Sequence, residues 1–569
     1  MSYRVLVVST WGDFKRYQPA YYVHEGGGAG VKCNSSSIAL TQILSARGHD
    51  VKALIILPYT LLGPEDIGNA QSIDYPVVVD RVVGKAREQI SQWVGSGDCE
   101  AGDAINRLEF AVVPAMASII DTKLRFEAKP NLYQLAVYHS VYRALTSGDY
   151  DWVYLDTTHG INYMPHLANE AVRLAVYVYT VKVKSRSKNR RQVKYITVNS
   201  DPYPQRDQQA GKAQAQQSQK QFEVPTLTIY ETYHETVMPR GTPGRVGELA
   251  LETLKWYARS VPRDHWDVNA LRLGLVLGAS LRDTLYPVLI SLGDEVRKYS
   301  DALMRDLVGL ANSPIEVGHD GGWVVMRHTY EPSILRSGRG ITYRAMMAMH
   351  ALLEVVNKLI SDVGEHVRVI DGSQAFTINA IMRLNELYSN VASRSMIRNE
   401  VRKMRNVEGY VMSAVMERYV GGRYRLRYFV DEQYRKYWNG CVNGDVNACG
   451  KLEELLDAIS HGKVMEPTGN VERRRDVCGG EGVDDNAVLT AYRHLVAHVG
   501  FNDEFIYVIP HVEGGEKMAL FTYGDRLNCV LDLIYRSALI EVGAGAAKPR
   551  GKTQRASRAR SRRSMGQRR

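Results

Sequence analysis

Apolar residues along the chain change their spacing near residue 240. Before that point they come in short, near-continuous runs: YRVLVVST (3–10), DVKALIILPY (50–59), EFAVVPA (109–115), DWVYLDTT (151–158), KYITVNS (194–200) and TLTIYETY (226–233). Runs of this length, bounded by turn residues, read as strands covered on both faces. Between them lie stretches with helical spacing, such as NSSSIALTQILSARG, with Asn34 or Ser35 as a cap and Gly48 as a stop, and NLYQLAVYHSVYRALTSG. This alternation predicts an α/β domain over residues 1–240, built on a Rossmann-like, mainly parallel sheet with crossover helices.

Past the Pro- and Gly-rich MPRGTPGR (238–245) the spacing turns helical, over 246–260, 281–311, 345–363, 374–405 and 485–498. The segment 421–482 is rich in Gly, carries Cys and reads as an insertion. A hairpin, FIYVIPHVEGGEKMALFTY, precedes a last helix, RLNCVLDLIYRSALIEV. The expected order is therefore α/β, then a helical connecting region (241–390), then an all-α domain (391–543) containing the insertion, then a tail (544–569).

Charge changes the picture only once it is located. The net charge of +10 equals the ten Lys and Arg between Lys548 and Arg569, a stretch without an acid, so the body is formally neutral. That tail has almost nothing apolar to bury and is expected to be disordered. It reads either as a solubilising extension or as a salt-dependent attraction to phosphate backbones. The basic loop KVKSRSKNRRQVK (182–194) and the Gln-rich QRDQQAGKAQAQQSQKQ (205–221) read as solvated loops, the first also placed to meet an anion. No apolar run approaches the roughly twenty residues of a membrane span, and the start is too brief for a signal peptide, which predicts a cytoplasmic protein without membrane contact. Six cysteines without CxxC pairs give neither a zinc site nor a disulfide scaffold. Cys441, Cys449 and Cys478 cluster, but separate reduced thiols are the expectation, since cytosolic disulfides are unusual outside hyperthermophiles.

An open parallel sheet binds ligands beyond the carboxyl ends of its strands. There the first strand gives Thr10, Trp11 and Gly12, the fourth runs into DTTHGINYMP (156–165), and the fifth into NSDPYP (199–204). These are hydrogen-bonding groups with an aromatic and no set of nucleophile, base and acid, which suits recognition better than turnover. GGGAGVK (26–32) lacks the spacing of a dinucleotide fingerprint or a P-loop. Ser35 to Ser37 open the first helix, either as plain caps or as a phosphate site on its N–H groups. His159 is either a satisfied structural residue or, among Thr157, Thr158, Gly160 and Asn162, a ligand contact.

LDTTHGIN after the fourth strand, NSDPY after the fifth, the Ser-rich helix start and an Arg-x4-His helix late in an all-α half together resemble the CARF-HEPN ribonucleases that accompany type III CRISPR systems. The resemblance covers about residues 1–240 and 390–543. It implies a Rossmann-like CARF domain that dimerises and binds a cyclic oligoadenylate, commonly the tetra-adenylate. It implies an all-α HEPN domain that also pairs, bringing an Arg and a His from each subunit into a metal-independent endoribonuclease site for single-stranded RNA. Thr10, Trp11, Gly12, Ser35, Ser36, Thr158, His159, Gly160 and Asn162 become the ligand-binding candidates, and Arg493 and His498 the catalytic ones. His494 either orients the site or is merely exposed. The partners implied are RNA, the cyclic activator and a second copy or higher oligomer, with no metal or other cofactor.

Alone, Arg-x4-His is weak: His fills 15 of 569 positions, so a chain this rich in Arg expects on the order of one chance match. His498 is nevertheless the only His with Arg at that spacing. On an ideal helix the two residues are about 140° and about 7.5 Å apart, too divergent for one helix to clamp a phosphate, whereas two copies across a dimer groove can. A His can move protons near neutrality and an Arg holds phosphate oxygens. The 2′-OH of RNA supplies the nucleophile, so DNA is not expected to be cut. The competing reading is a non-catalytic cyclic-nucleotide sensor that binds nucleic acid through its helical half and basic tail.

Overall fold

The computed structural model describes residues 2–160, 163–185, 192–204, 224–261, 268–328, 330, 332, 341–461 and 483–541. Strands are numbered in chain order. The first sheet holds eight: β1 (Arg4–Thr10), β2 (Ala20–His24), β3 (Val31–Cys33), β4 (Asp50–Pro58), β6 (Leu108–Val113), β9 (Trp152–Asp156), β10 (Val193–Ser200) and β11 (Thr226–Val237), in the order β3-β2-β11-β10-β9-β1-β4-β6. The six apolar runs read from the sequence are β1, β4, β6, β9, β10 and β11. The five strands from β10 to β6 are parallel, as their two-sided burial requires. β11 turns back antiparallel on β10, and the β2–β3 hairpin, whose turn is the Gly-rich stretch, closes that edge. The sheet is thus mixed. Strand order reverses at β1, whose neighbours are β4 and β9.

A second sheet, in the order β5-β12-β13-β8-β7, joins β5 (Ser72–Ile73), β7 (Ala117–Ile119) and β8 (Leu124–Glu127) to β12 (Ile315–Asp320) and β13 (Trp323–His328). The connecting region is therefore not purely helical. It completes a sheet begun in the first domain, β13 lying parallel to β8. Nor is the C-terminal part all-α as expected. β14 (Val367–Ile370), β15 (Ser373–Phe376), β16 (Tyr424–Arg425), β17 (Tyr507–Glu513) and β18 (Glu516–Thr522) form a third sheet. The helix expected over 281–311 is broken into Val268–Arg282, Tyr286–Ser291 and Gly293–Asn312, the break coming at Thr284 (φ 57) and Pro287. After β16 the described part of the insertion is helical, with Arg427–Val430, Glu432–Val442 and Val446–Ser460. Among the described residues no helix is long and apolar enough to cross a membrane.

Helices bind the parts together. The first-domain helices Pro130–Thr146 and Tyr163–Tyr179 pack against Ile341–Ser361. Tyr138 Oη and His350 Nδ1 lie 2.9 Å apart, and Arg344 pairs with Glu170 at 2.9 Å.

The cysteines correct the sequence reading. Cys441 and Cys449 are bonded to each other, and Cys33 is bonded to Cys99, while Cys478, the Gln-rich loop and the basic tail lie outside the described residues. The first pair was hidden because Asn443, Gly444 and Asp445 turn the chain back between two helices, bringing positions eight apart together. The second ties β3 to the segment after the helix Tyr75–Gly95, 66 residues on. Chain entropy makes the longer loop the more stabilising, at about 4 kcal/mol against about 2.5 kcal/mol for the short one. Replacing Cys33 and Cys99 together by Ala is thus expected to lower the thermal midpoint more than replacing Cys441 and Cys449, as read by calorimetry under non-reducing conditions. Equal shifts would contradict this assignment.

Candidate functional site

At the reversal point the loops after β1 and β9 meet the start of the helix Ser36–Ala46. Asp156, the last residue of β9, is fully buried. Its carboxylate accepts hydrogen bonds from Ser36 Oγ (2.6 Å), Thr158 Oγ1 (2.6 Å), Thr158 N–H (3.0 Å) and, more weakly, Ser9 Oγ (3.4 Å). A carboxylate removed from water needs such donors, and satisfying it fixes β1, the helix start and the loop after β9 against one another.

His159 is held by the same loops. The N–H of Ser36 donates to its Nε2 at 3.0 Å, and its ring stacks on Tyr17 with centroids 4.1 Å apart. Burial lowers its pKa to about 4, against the opposing pull of Asp156, so it is neutral at ordinary pH and Nε2 is free to accept. Its carbonyl accepts from the N–H of Gly12 and from Tyr17 Oη. Gly160 has no room for a side chain, since a β-carbon there would lie 2.7 Å from Thr10 Oγ1 and still closer to Pro165.

The structure thus brings Thr10, Gly12, Ser35, Ser36, Thr158, His159 and Gly160 together. Thr158 Oγ1 accepts from the N–H of Ser200, joining the fifth-strand loop to the cluster. Trp11 is buried, as Thr10, Ser35 and Ser36 are. It is fully enclosed, donating from Nε1 to Ser37 Oγ at 3.0 Å, because an indole can lie in the core only with its N–H satisfied. Asn162 lies outside the described residues. Sequence reasoning passed over Asp156 and Tyr17, and took Asn34 only as a helix cap. Asp156 stood inside the quoted motif, and an acid ending an otherwise apolar strand was its available signal. Two buried acceptors of the crevice, Thr10 Oγ1 and Asn34 Oδ1, have no hydrogen-bond partner among the described residues.

The second cluster lies at the end of the helix Asp485–Ala497. Val488, Tyr492 and Leu495 bury one face. Tyr492 Oη is hydrogen-bonded to Asp283, which pairs with Arg282 at 2.8 Å, and Arg282 in turn reaches Glu541 at 3.3 Å. This anchor turns Arg493 and His494 to solvent. His498 caps the helix, and its side chain is 36% exposed. The helix stops through N–H bonds from Val499 to Val496 and from Gly500 to Leu495. That turn puts Val499 as well as Gly500 at positive φ (44° and 90°), an unusual conformation for a β-branched residue.

His494 and His498 lie ring over ring, centroids 5.8 Å apart. Within one chain no hydrogen bond or ion pair joins Arg493 to His498. Instead His498 Nδ1 faces Glu400 Oε1 at 3.4 Å, on the helix Val391–Val411. Glu400 was not foreseen, since 98 residues separate it from His498. Among the described residues no group of three or more His, Cys, Asp or Glu is arranged to hold a metal ion.

Two comparisons with known proteins bear on the first cluster. Residues 6–202 match the family model described as CRISPR system endoribonuclease Csx1, CARF domain. The CRISPR system endoribonuclease Csx1 of Methanocaldococcus jannaschii is 25% identical over 209 residues, 36% of this chain and 38% of that protein. The chain thus aligns with well under half of the length of that curated relative. The crevice lies inside the matched region and the helix Asp485–Ala497 outside it. Residues 6–202 are therefore a CARF domain of the kind found in the CRISPR-associated Csx1 proteins, followed in this chain by a largely helical region with two small sheets.

Proposed function

We propose that the protein is a metal-independent endoribonuclease of CRISPR antiviral defence, switched on by a cyclic oligoadenylate, with the tetra-adenylate the first ring size to test. The observation that carries the reading is a CARF domain joined in one chain to a helix that presents Arg493, His494 and His498 to solvent, with His498 backed by a buried carboxylate. The helical part serves as a HEPN domain, and the working unit is a homodimer. The cyclic ligand lies across the paired crevices, over the loops after β1 and β9 and the start of the helix Ser36–Ala46.

In the reaction the 2′-OH of the RNA gives its proton to a His498 imidazole and attacks the adjacent phosphorus. Arg493 neutralises the equatorial oxygens of the phosphorane. The 5′-oxygen leaves with a proton returned from an imidazolium, so the products carry a 2′,3′-cyclic phosphate and a 5′-hydroxyl. The geometry favours two copies, because Arg493 and His498 of one helix diverge.

Charge supports RNA as the substrate. Residues 391–442 hold eleven Lys and Arg against five Asp and Glu in a chain whose body is formally neutral. Arg398, Arg402 and Arg405 are exposed along the helix that touches His498.

With cyclic tetra-adenylate and EDTA present, the full-length wild type is expected to shorten single-stranded RNA. His498→Ala and Arg493→Ala should each be slower by roughly 100-fold or more, the usual worth of a proton-transfer or charge-stabilising group. Undiminished cleavage by His498→Ala would overturn the site, and cleavage indifferent to every cyclic oligoadenylate would overturn the switch. RNA retained without shortening would favour the non-catalytic sensor. In binding titrations over a salt series, Arg398→Gln combined with Arg402→Gln should flatten the dependence of log K on log salt by about 0.7 for each phosphate that the protein no longer neutralises; an unchanged slope would remove this helix from the RNA path.

A further inference from the structure

We infer that Glu400 is the positioning residue of His498, an inference that rests on the ribonuclease reading for its consequence but not for its geometry. Glu400 occupies a core-facing position of the helix Val391–Val411, where Ile397, Val401, Met404 and Val407 are also buried. It is only 7% exposed. A carboxylate there is costly unless its oxygens are hydrogen-bonded. Its partners are Lys403 Nζ at 2.8 Å, one turn on and largely exposed, and His498 Nδ1 at 3.4 Å.

A carboxylate only accepts, so the contact with His498 is a hydrogen bond only if Nδ1 carries the proton. The neutral imidazole then offers the lone pair of Nε2 on its exposed side. That is the atom able to take a proton from a 2′-OH, and the carboxylate behind it stabilises the imidazolium that results. The charged or titratable groups that face the ring are Glu400 from the helix Val391–Val411, itself paired with Lys403, and His494 from its own helix. The turn at Val499, with its uncommon φ of 44°, holds His498 at the helix end beside Glu400, the kind of local strain that functional positions carry.

The test is the protonated nitrogen of the His498 ring, read from ring 15N shifts of the histidine-labelled full-length protein and assigned by loss of the signal in His498→Gln. The wild type is expected in the Nδ1–H form when neutral, and Glu400→Leu in the Nε2–H form that free imidazole prefers. Glu400→Gln keeps an acceptor oxygen and guards against a misfolded Leu variant: it should retain Nδ1–H yet lower kcat by about tenfold, a fraction of what general acid–base catalysis supplies, with KM little changed. Lys403→Ala should leave the ring as it is in the wild type. An Nε2–H wild type, or the same nitrogen protonated in wild type and Glu400→Leu, would overturn the assignment. The ring readout needs no RNA, so an Nδ1–H wild type that cleaves nothing supports the pairing while removing the ribonuclease reading.

Discussion

A carboxylate drawn out of water must be surrounded by donors, and the geometry of both clusters follows from that requirement. Asp156, fully buried, collects two hydroxyls and a backbone N–H within 3.0 Å, with Ser9 Oγ farther off. The donors come from a strand, a helix start and a loop, so satisfying one acid sets three segments of the crevice in place. Glu400 does the same on a smaller scale, with one donor from its own helix and one from the end of another. In each case a histidine lies next to the acid and its tautomer follows: His159 accepts at Nε2 from Ser36, and His498 is placed to donate from Nδ1. Leaving either acid buried without partners would cost several kcal/mol, which is why these segments hold a fixed relation to one another.

The crevice and the distal cluster belong to one connected body. The helix Tyr163–Tyr179 begins just past the loop after β9 and meets Ile341–Ser361 through Glu170 and Arg344. Near the end of Ile341–Ser361, Lys358 pairs with Asp362, and Tyr388 Oη is hydrogen-bonded to the same carboxylate. The next residue, Ser389, shares a hydrogen bond with Tyr286, and Asn390 caps the helix that carries Glu400. The second sheet adds a backbone connection, since β13 of the connecting region pairs with β8 of the CARF domain. A ligand that binds one arrangement of the crevice more tightly than another therefore has packed, hydrogen-bonded elements through which to bias the far end.

Most of the first sheet was legible in the sequence, because parallel strands buried on both faces leave continuous apolar runs that no loop imitates. The edge hairpin β2–β3 was not, since its strands are short and half exposed. The later hairpins carried readable turns. Gly321–Gly322, Asp371–Gly372 and Gly514–Gly515 all have positive φ at both positions, the pattern of tight turns between paired strands. Two of them lay between the helical stretches of the connecting region, and only the third was read as a hairpin. Local motifs located the polar loops, but residue type alone could not show that Thr10, Trp11, Ser35 and Ser36 are all buried within one chain. Glu400 was beyond any local reading, because its position in sequence says nothing of the histidine it faces.

The chemistry proposed for Arg493 and His498 would leave a signature on the RNA itself. The most direct measurement is the identity of the new ends when activated full-length protein cuts a defined single-stranded RNA, resolved by mass spectrometry. If the 2′-OH is the nucleophile, the upstream fragment ends in a 2′,3′-cyclic phosphate and the downstream fragment begins with a 5′-hydroxyl. Fragments with a 3′-hydroxyl and a 5′-phosphate would mean that water attacked instead, and would contradict the account.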